Sequence, residues 1–380
     1  MAERENLDRL IACLARQSFK GFTAFFCVNQ PDSWRSSSDP FCRQVVSDND
    51  ATLRRLGEGL PFDAVVVDRS SGGQGWPEGK GGVGQARKAL FSLIAGRCGD
   101  DEIVVSLDAD TAFPDDYLAT LAAASPFEAL AVPYRHPLAG DEALDRRLLR
   151  YECYMRWYQL NMMRIANPYA FTALGSALVF TVAAYRRSGG ISPLQAGEDF
   201  YLLQKLAKTT TVRLALGSGC CVFPRGRLSS RVPFGTGPAL ALPFEVLGER
   251  YPFYAASSFD RAGETFALFP SLYDRDVETP MSSFLRQQLA TDDLWSPLRR
   301  NFKSRRLFVR ACAERVDGLR ILQFLKHCGE REPSLAVDFA ADPISRLEDF
   351  RELLFSREMA QRGLWQAGLA PWLDSVLSGA

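Results

Sequence analysis

The sequence predicts an α/β fold with a mostly parallel central sheet, followed by a mainly helical C-terminal region. Three observations predict it. Through the first part of the chain, apolar runs of strand length alternate with amphipathic stretches of helix length. The strand-length runs are continuously apolar rather than alternating, as strands covered on both faces are. From about residue 243 the strand signals fade and helical periodicity takes over, for example at Val309, Cys312, Val316 and Leu319. The expected domains are therefore 1–242, the α/β part, and 243–380, the helical part.

Each element has its own signal. LDRLIACLAR sets Leu7, Leu10, Ile11 and Leu14 on one side of a short helix. FTAFFCV reads as a buried strand ending at Asn29-Gln30-Pro31, and DAVVVD, residues 63–68, as the second strand. RSSGGQGWPEGKGG reads as a surface loop, VGQARKALFSLIAG as a helix and EIVVSLD as a third strand. PDDYLATLAAA puts Pro114 in a first helical turn with carboxylates beside the helix N-terminus. ALAVP, residues 129–133, is a further strand, and residues 141–166 form a long helix rich in tyrosine and tryptophan. ALGSALVF is strand, Gly189-Gly190 a break, Glu198 to Lys208 a helix, and VRLALGSGCCVFP more strand.

Composition narrows the function. Among 380 residues, Lys plus Arg and Asp plus Glu are equal at 45 each, so no global charge draws the chain to nucleic acid. The N-terminus is charged from residue 3 and lacks the apolar core of a secretory signal. No window reaches the length a membrane span needs. Nine scattered cysteines without C-x-x-C spacing suit a reduced, cytoplasmic protein. With only His136 and His327, a histidine-rich metal site is nearly excluded.

Gly79, Gly81 and Gly84 fit G-x-G-x-x-G, the pattern of a dinucleotide-binding turn. That turn sits directly between a strand and a helix, whereas residues 69–78 intervene here, and Lys80 is followed by Gly81 rather than by the Ser or Thr of a P-loop. Stronger chemistry lies in VVSLDADTAFPDDYL. Asp108 and Asp110 end an apolar strand two residues apart, where side chains point the same way, at the edge where open α/β sheets bind ligands. Two carboxylates there suit Mg²⁺ or Mn²⁺. A strand-end turn explains the same pair, because Asp is a preferred turn residue. Glu198 and Asp199 open an apolar helix after Gly197. They serve equally as dipole-matched caps or, facing a metal-holding edge, as a general base.

In order along residues 20–237, these pieces resemble glycosyltransferase family 2, soluble bacterial-type members with the GT-A fold: CVNQP, Asp68 after the second strand, GVGQARK, D-x-D at 108–110, the Gly189-Gly190 break into GEDF, and SSRVPFGTG. The resemblance implies a metal-dependent, inverting transferase that moves a sugar from a nucleotide-diphosphate donor, a UDP-sugar favoured, to a glycan or lipid-linked acceptor. It implies that Asn29 and Gln30 line the nucleobase pocket, that Asp68 binds the base edge and that Arg87 holds the nucleotide. Asp108 would face the ribose or the metal, Asp110 would ligate Mn²⁺ or Mg²⁺, and Asp199 would be the base, with Glu198 as the next candidate. Many GT-A enzymes add a histidine metal ligand, and residues 219–237 contain none. Arg225, Arg227 and Arg231 lie there instead and could grip a diphosphate.

Two other readings share the fold. A sugar-phosphate nucleotidyltransferase places a glycine-rich basic loop directly after the first strand, where this chain has NQPDSW. A non-catalytic nucleotide- or glycan-binding protein has no need of the acids at 108, 110, 198 and 199. Tyr151, Tyr154 and Tyr158, with Trp157, could stack on an acceptor sugar or fill a core. RRNFKSRRLFVR, residues 299–310, could meet an anionic membrane surface or form a solvated helix face.

Overall fold

The computed structural model describes residues 3–214, 218–228, 235–333, 335–362 and 365–378. The chain divides into two compact units. The first comprises Met1–Ala139, Ala173–Leu203 and Ala215–Ala241, and the second Gly140–Thr172, Gln204–Leu214 and Leu242–Ala380. Residues 140–172 and 204–214, which the sequence suggests placing with the α/β part, therefore group with the C-terminal residues.

The first unit begins with α1 (Arg4–Arg16), β1 (Thr23–Asn29), α2 (Pro40–Gly57) and β2 (Asp63–Arg69). The strands β1 and β2 pair in parallel from Thr23↔Asp63 to Asn29↔Arg69. Leu7 and Ile11 of α1, Val28 of β1 and Leu56 of α2 form a buried cluster, with Phe26, Leu53, Leu60 and Phe62 against it. Each such side chain contributes about 1.5–3 kcal/mol on burial. Helix α2 starts where Asp39 accepts a hydrogen bond from the Phe41 amide and Pro40 takes the first turn.

After α3 (Val83–Arg97) come β3 (Ile103–Ser106), β4 (Thr111–Ala112), α4 (Tyr117–Ala123) and β5 (Ala129–Ala131). Helix α5 (Glu142–Arg164) belongs to the second unit. The chain returns to the first unit with β6 (Leu178–Thr181) and α6 (Val182–Arg187), then α7 (Glu198–Thr209), whose residues from Gln204 group with the second unit. Helix α6 ends at Gly189 and Gly190, both with positive φ, the conformation glycine adopts without penalty. The short strand β7 (Val212–Leu214) follows in the second unit, and β8 (Phe223–Pro224) and helix α8 (Thr236–Leu240) in the first.

Strand direction departs from expectation. The β1–β2 pair is parallel, but β6 runs antiparallel to both β3 and β5, and β4 antiparallel to β8. The fold is mixed α/β rather than mostly parallel. The physical reason is that a continuous apolar run records burial on both faces and carries no information on the direction of its neighbour.

The second unit is mainly helical. Helix α5 packs along the helix Ile344–Arg362. Tyr151 and Tyr154 on α5 are buried against Tyr251, the Tyr158 ring meets Phe259, and Trp157 Nε1 donates to the Tyr254 carbonyl at 2.9 Å. The tyrosine stripe is thus core. In the basic stretch 299–310, Arg299, Arg305 and Arg306 pair with Asp276, Asp274 and Asp374. Among the described residues no helix is long and apolar enough to cross a membrane, and all nine cysteines are free thiols.

Candidate active site

Two groups of polar side chains gather in the first unit. The first lies at the end of the parallel pair β1–β2. Asp68 Oδ1 accepts from Ser70 N at 2.8 Å, Ser70 Oγ at 3.1 Å and Ser71 N at 3.0 Å. Burial pushes its carboxyl up, but the Ser71 hydroxyl, together with these backbone and Ser70 hydrogen bonds, outweighs burial and holds it below the usual carboxylate value. Asn29 is buried, and its Oδ1 accepts from Trp76 Nε1 at 3.3 Å. Gln30 is 0% exposed. Its Nε2 donates to the Ser70 carbonyl at 3.2 Å, its Oε1 accepts from Asn49 at 2.8 Å, and its backbone pairs with Arg69 and Trp76. Gln30 therefore ties the strand end to the following loop from inside, and Asn29 and Asp68 lie nearer the surface.

The second group centres on Arg87 of α3. Its Nη1 donates to Glu198 Oε1 at the start of α7, and its Nη2 donates to Asp108 Oδ1 at 2.6 Å, just past β3. One planar guanidinium thus bridges the two acidic motifs, a geometry a lysine ammonium cannot reproduce. Burial lowers the Arg87 pKa, but the carboxylates of Asp108, Glu198 and Asp199 overcome it and raise the value, so the side chain stays charged. Gly175 makes room for it. A Cβ there would lie 1.9 Å from Arg87 Nη2. The neighbouring Ser176 Oγ donates to Asp108 Oδ2 at 2.8 Å and accepts from Thr111 Oγ1 at 2.8 Å, fixing the other carboxylate oxygen.

Asp110 is held from the opposite side. Its Oδ2 lies 3.0 Å from Arg227 Nε, and Arg227 also donates to Glu3. Burial, with the charge of Asp108 beside it, pushes the Asp110 carboxyl up to about 6 against the pull of Arg227. Burial likewise raises the Glu198 carboxyl, with Arg87 opposing and Asp199 adding to the shift. Asp199 is half-buried, and its Oδ1 accepts from the Phe200 amide at 2.7 Å. Of the two acids opening α7, Glu198 is locked on Arg87 and Asp199 is the one that reaches solvent.

The glycine loop links the two groups. Gly81 abuts Pro31 and Trp76, where an added Cβ would sit at 3.5 Å. A Cβ on Gly84 would lie 2.1 Å from the Leu194 carbonyl oxygen, so only glycine lets the first turn of α3 press against the segment leading into α7.

The sequence marks Asp108, Asp110, Glu198, Asp199 and Arg87, and the fold brings them together. Ser176, Gly175 and the Glu3–Arg227 pair complete the site. The signal for the first two was the Gly-Ser step inside the apolar run ALGSALVF. Glu3 carries no signal of its own. Arg231 lies outside the described residues. Among the described residues, no group of three or more His, Cys, Asp or Glu side chains is arranged as a metal-ligand set.

No protein-family model matches the chain, and no curated protein matches it. Among solved structures it is similar to "Mannosyltransferase PcManGT from Pyrobaculum calidifontis in complex with GDP-Man and Mn2+", with 13% identity over 94% of this chain and 85% of that chain. The TM-score is 0.29, too low for the likeness to bear on fold or function here.

Proposed function

We propose that this chain is a metal-dependent GT-A glycosyltransferase. It moves a sugar from a nucleotide-diphosphate donor, a UDP-sugar favoured, to a hydroxyl of a glycan or lipid-linked acceptor, with inversion. One observation carries the reading: Arg87 joins the D-x-D acid Asp108 to the helix-start acid Glu198, so that Asp110 and Asp199 flank a single constellation. Asp108, Asp110, Glu198 and Asp199 outnumber the two guanidiniums of Arg87 and Arg227, which leaves surplus negative charge for a cation to offset.

The donor set suits a hard cation with oxygen ligands. Asp108 and Asp110 stand two residues apart, Asp108 keeps 41% of its side chain exposed, and Asp110 is pushed up to about 6, partly by its neighbour's charge. When bound by Asp110 and Asp108, Mn²⁺ or Mg²⁺ would offset the charge that builds on the departing diphosphate. The other roles fall to the chain itself. Asp199 accepts the proton of the attacking hydroxyl. A single base on the face away from the leaving group gives inversion.

Arg87 holds Asp108 and Glu198 rather than the nucleotide, because its two Nη atoms are both engaged and its side chain is only 11% exposed. Asp68, with Oδ1 taken by the serine turn, offers Oδ2 to the base, and Asn29 stands beside it at the strand end.

The test is steady-state release of nucleoside diphosphate from a panel of UDP- and GDP-sugars, with and without Mn²⁺, beside calorimetric binding of the same nucleotides. Metal-dependent binding and turnover are expected. A protein that binds none of the nucleotides in either condition would refute the assignment.

A further inference from the structure

We propose that Arg150, in the second unit, is the binding residue for an oxyanion, the phosphate or carboxylate group of a small-molecule ligand. The inference starts from an imbalance of charge. Arg150 lies on α5, is 8% exposed, and its Nη1 is sealed from solvent with no hydrogen-bond partner among the described residues. Its guanidinium carbon sits 4.2 Å from the centre of the Phe253 ring and 5.5 Å from that of Phe339, and the two rings stack on each other.

The groups that act on Arg150 electrostatically are Cys153, Tyr154 and Arg331. Burial raises the pKa of both the Cys153 thiol and the Tyr154 hydroxyl, so neither is an anion at pH 7. Arg331 adds a like charge. Burial accordingly drives the Arg150 pKa down to about 10.

The other buried arginines of the unit are arranged differently. Arg156, Arg351 and Arg362 each hold a glutamate. A buried unpaired charge is costly, and stacking on an aromatic face offsets only part of that cost. The remainder is offset when an anion meets the free guanidinium edge. Arginine's planar fork selects oxyanions over spherical ions. The phenylalanines wall the charge from water, which strengthens such a pair. Gly248 adds no side chain of its own beside Nη2, and a Cβ built there would lie 4.0 Å from that atom.

The experiment compares thermal unfolding of the parent, Arg150→Met and Arg150→Lys in sodium phosphate, acetate and chloride at matched ionic strength. General salt effects act on all three proteins alike and cancel in the comparison. Phosphate or acetate should raise the parent's melting temperature above its value in chloride. Arg150→Met should lose that extra rise, and in chloride it should melt no lower than the parent, because the uncompensated charge is gone. Arg150→Lys, with the charge but not the fork, should respond more weakly than the parent. A response to phosphate alone assigns a phosphate ligand, and a response to acetate alone a carboxylate. A parent with no anion-specific rise, or variants that respond as the parent does, would overturn the proposal. No turnover is measured, so the result stands independently of the glycosyltransferase reading.

Discussion

Two buried arginines, one in each unit, each clamp a pair of carboxylates from distant parts of the chain, and their surroundings differ. Arg156 joins Glu152 to Glu358, Arg362 and Arg351 complete the cluster, and all five side chains are 0–3% exposed. The three arginines pair there with Glu152, Glu358 and Glu348. Arg87 joins Asp108 to Glu198, yet Asp108 is 41% exposed, and two further carboxylates stand nearby, Asp110 facing Arg227 and Asp199 acting on Arg87 through its charge. A closed cluster holds helices in register. On the function proposed above, the open cluster is the one that meets a ligand.

The largest expected effect falls on the open cluster. Asp199→Asn keeps the shape of the side chain but cannot take a proton, so turnover should fall by about 10²-fold or more with donor affinity almost unchanged. A residue that only caps α7 predicts near-parental turnover in Asp199→Asn and a lower melting temperature in Asp199→Ala. Nucleoside diphosphate release with a working acceptor, set beside calorimetric donor binding, separates the two. Full activity in Asp199→Asn would pass the catalytic role to another group.

Next comes stability, where the order should reverse. Arg156→Met leaves Glu152 and Glu358 buried without their shared partner and should cost about 3–5 kcal/mol. Arg87→Met should cost less, because Asp108 can be hydrated and the raised Glu198 carboxyl can take up a proton. Urea denaturation of both variants measures this. Equal losses would erase the distinction between the two clusters.

What the sequence discloses is local, and what it conceals is pairing. Asp108 and Asp110 announce themselves as a D-x-D pair at a strand end, and Glu198 and Asp199 as paired acids at a helix start. Arg87 is visible in GVGQARK, but its link to Glu198 spans 111 positions and has no local trace. The contacts of Ser176 with Asp108 and of Arg227 with Asp110 are hidden for the same reason. Gln30 is visible in CVNQP, but its burial and its hydrogen bonds to Ser70 and Asn49 are not. The helix α2 is a different case. Asp39-Pro40 is a readable start signal, yet the helix itself, PFCRQVVSDNDATLRRLG, opens on a stretch polar enough to pass for loop. Helical alternation with strands was legible, whereas strand direction was not, because both directions bury the same side chains.

A smaller perturbation sharpens the comparison within the open cluster. Gly175→Ala puts a methyl where the Arg87 guanidinium lies. Overpacking of this kind costs about 1–3 kcal/mol. Because the displaced group positions Asp108 and Glu198, turnover should drop by about tenfold or more while the protein still folds, since a shift of about 1 Å at a positioned group is expensive. A variant with parental turnover and lowered stability would reduce Arg87 to a packing element.

The smallest effect is one of sign, and it sets the two clusters directly against each other. Burial pushes the Glu358 carboxyl up, but Arg362 and Arg156 outweigh it and hold the group below its ordinary value of 4.5. A carboxyl lowered in the native state gives stability that is complete above the unfolded value and is lost as pH falls through the native one. Glu198 is raised from 4.5 because burial outweighs Arg87. Its native form binds a proton more tightly than its unfolded form, so stability is greater in acid and declines as pH rises from 4.5 through the raised value. Relative to Glu358→Gln, the parent should therefore lose stability on acidification. Relative to Glu198→Gln, it should gain. Urea midpoints of the three proteins between about pH 3 and 7 read this difference without any assay of activity. If the two difference curves slope the same way, the contrast between a closed and an open arginine clamp does not describe this protein.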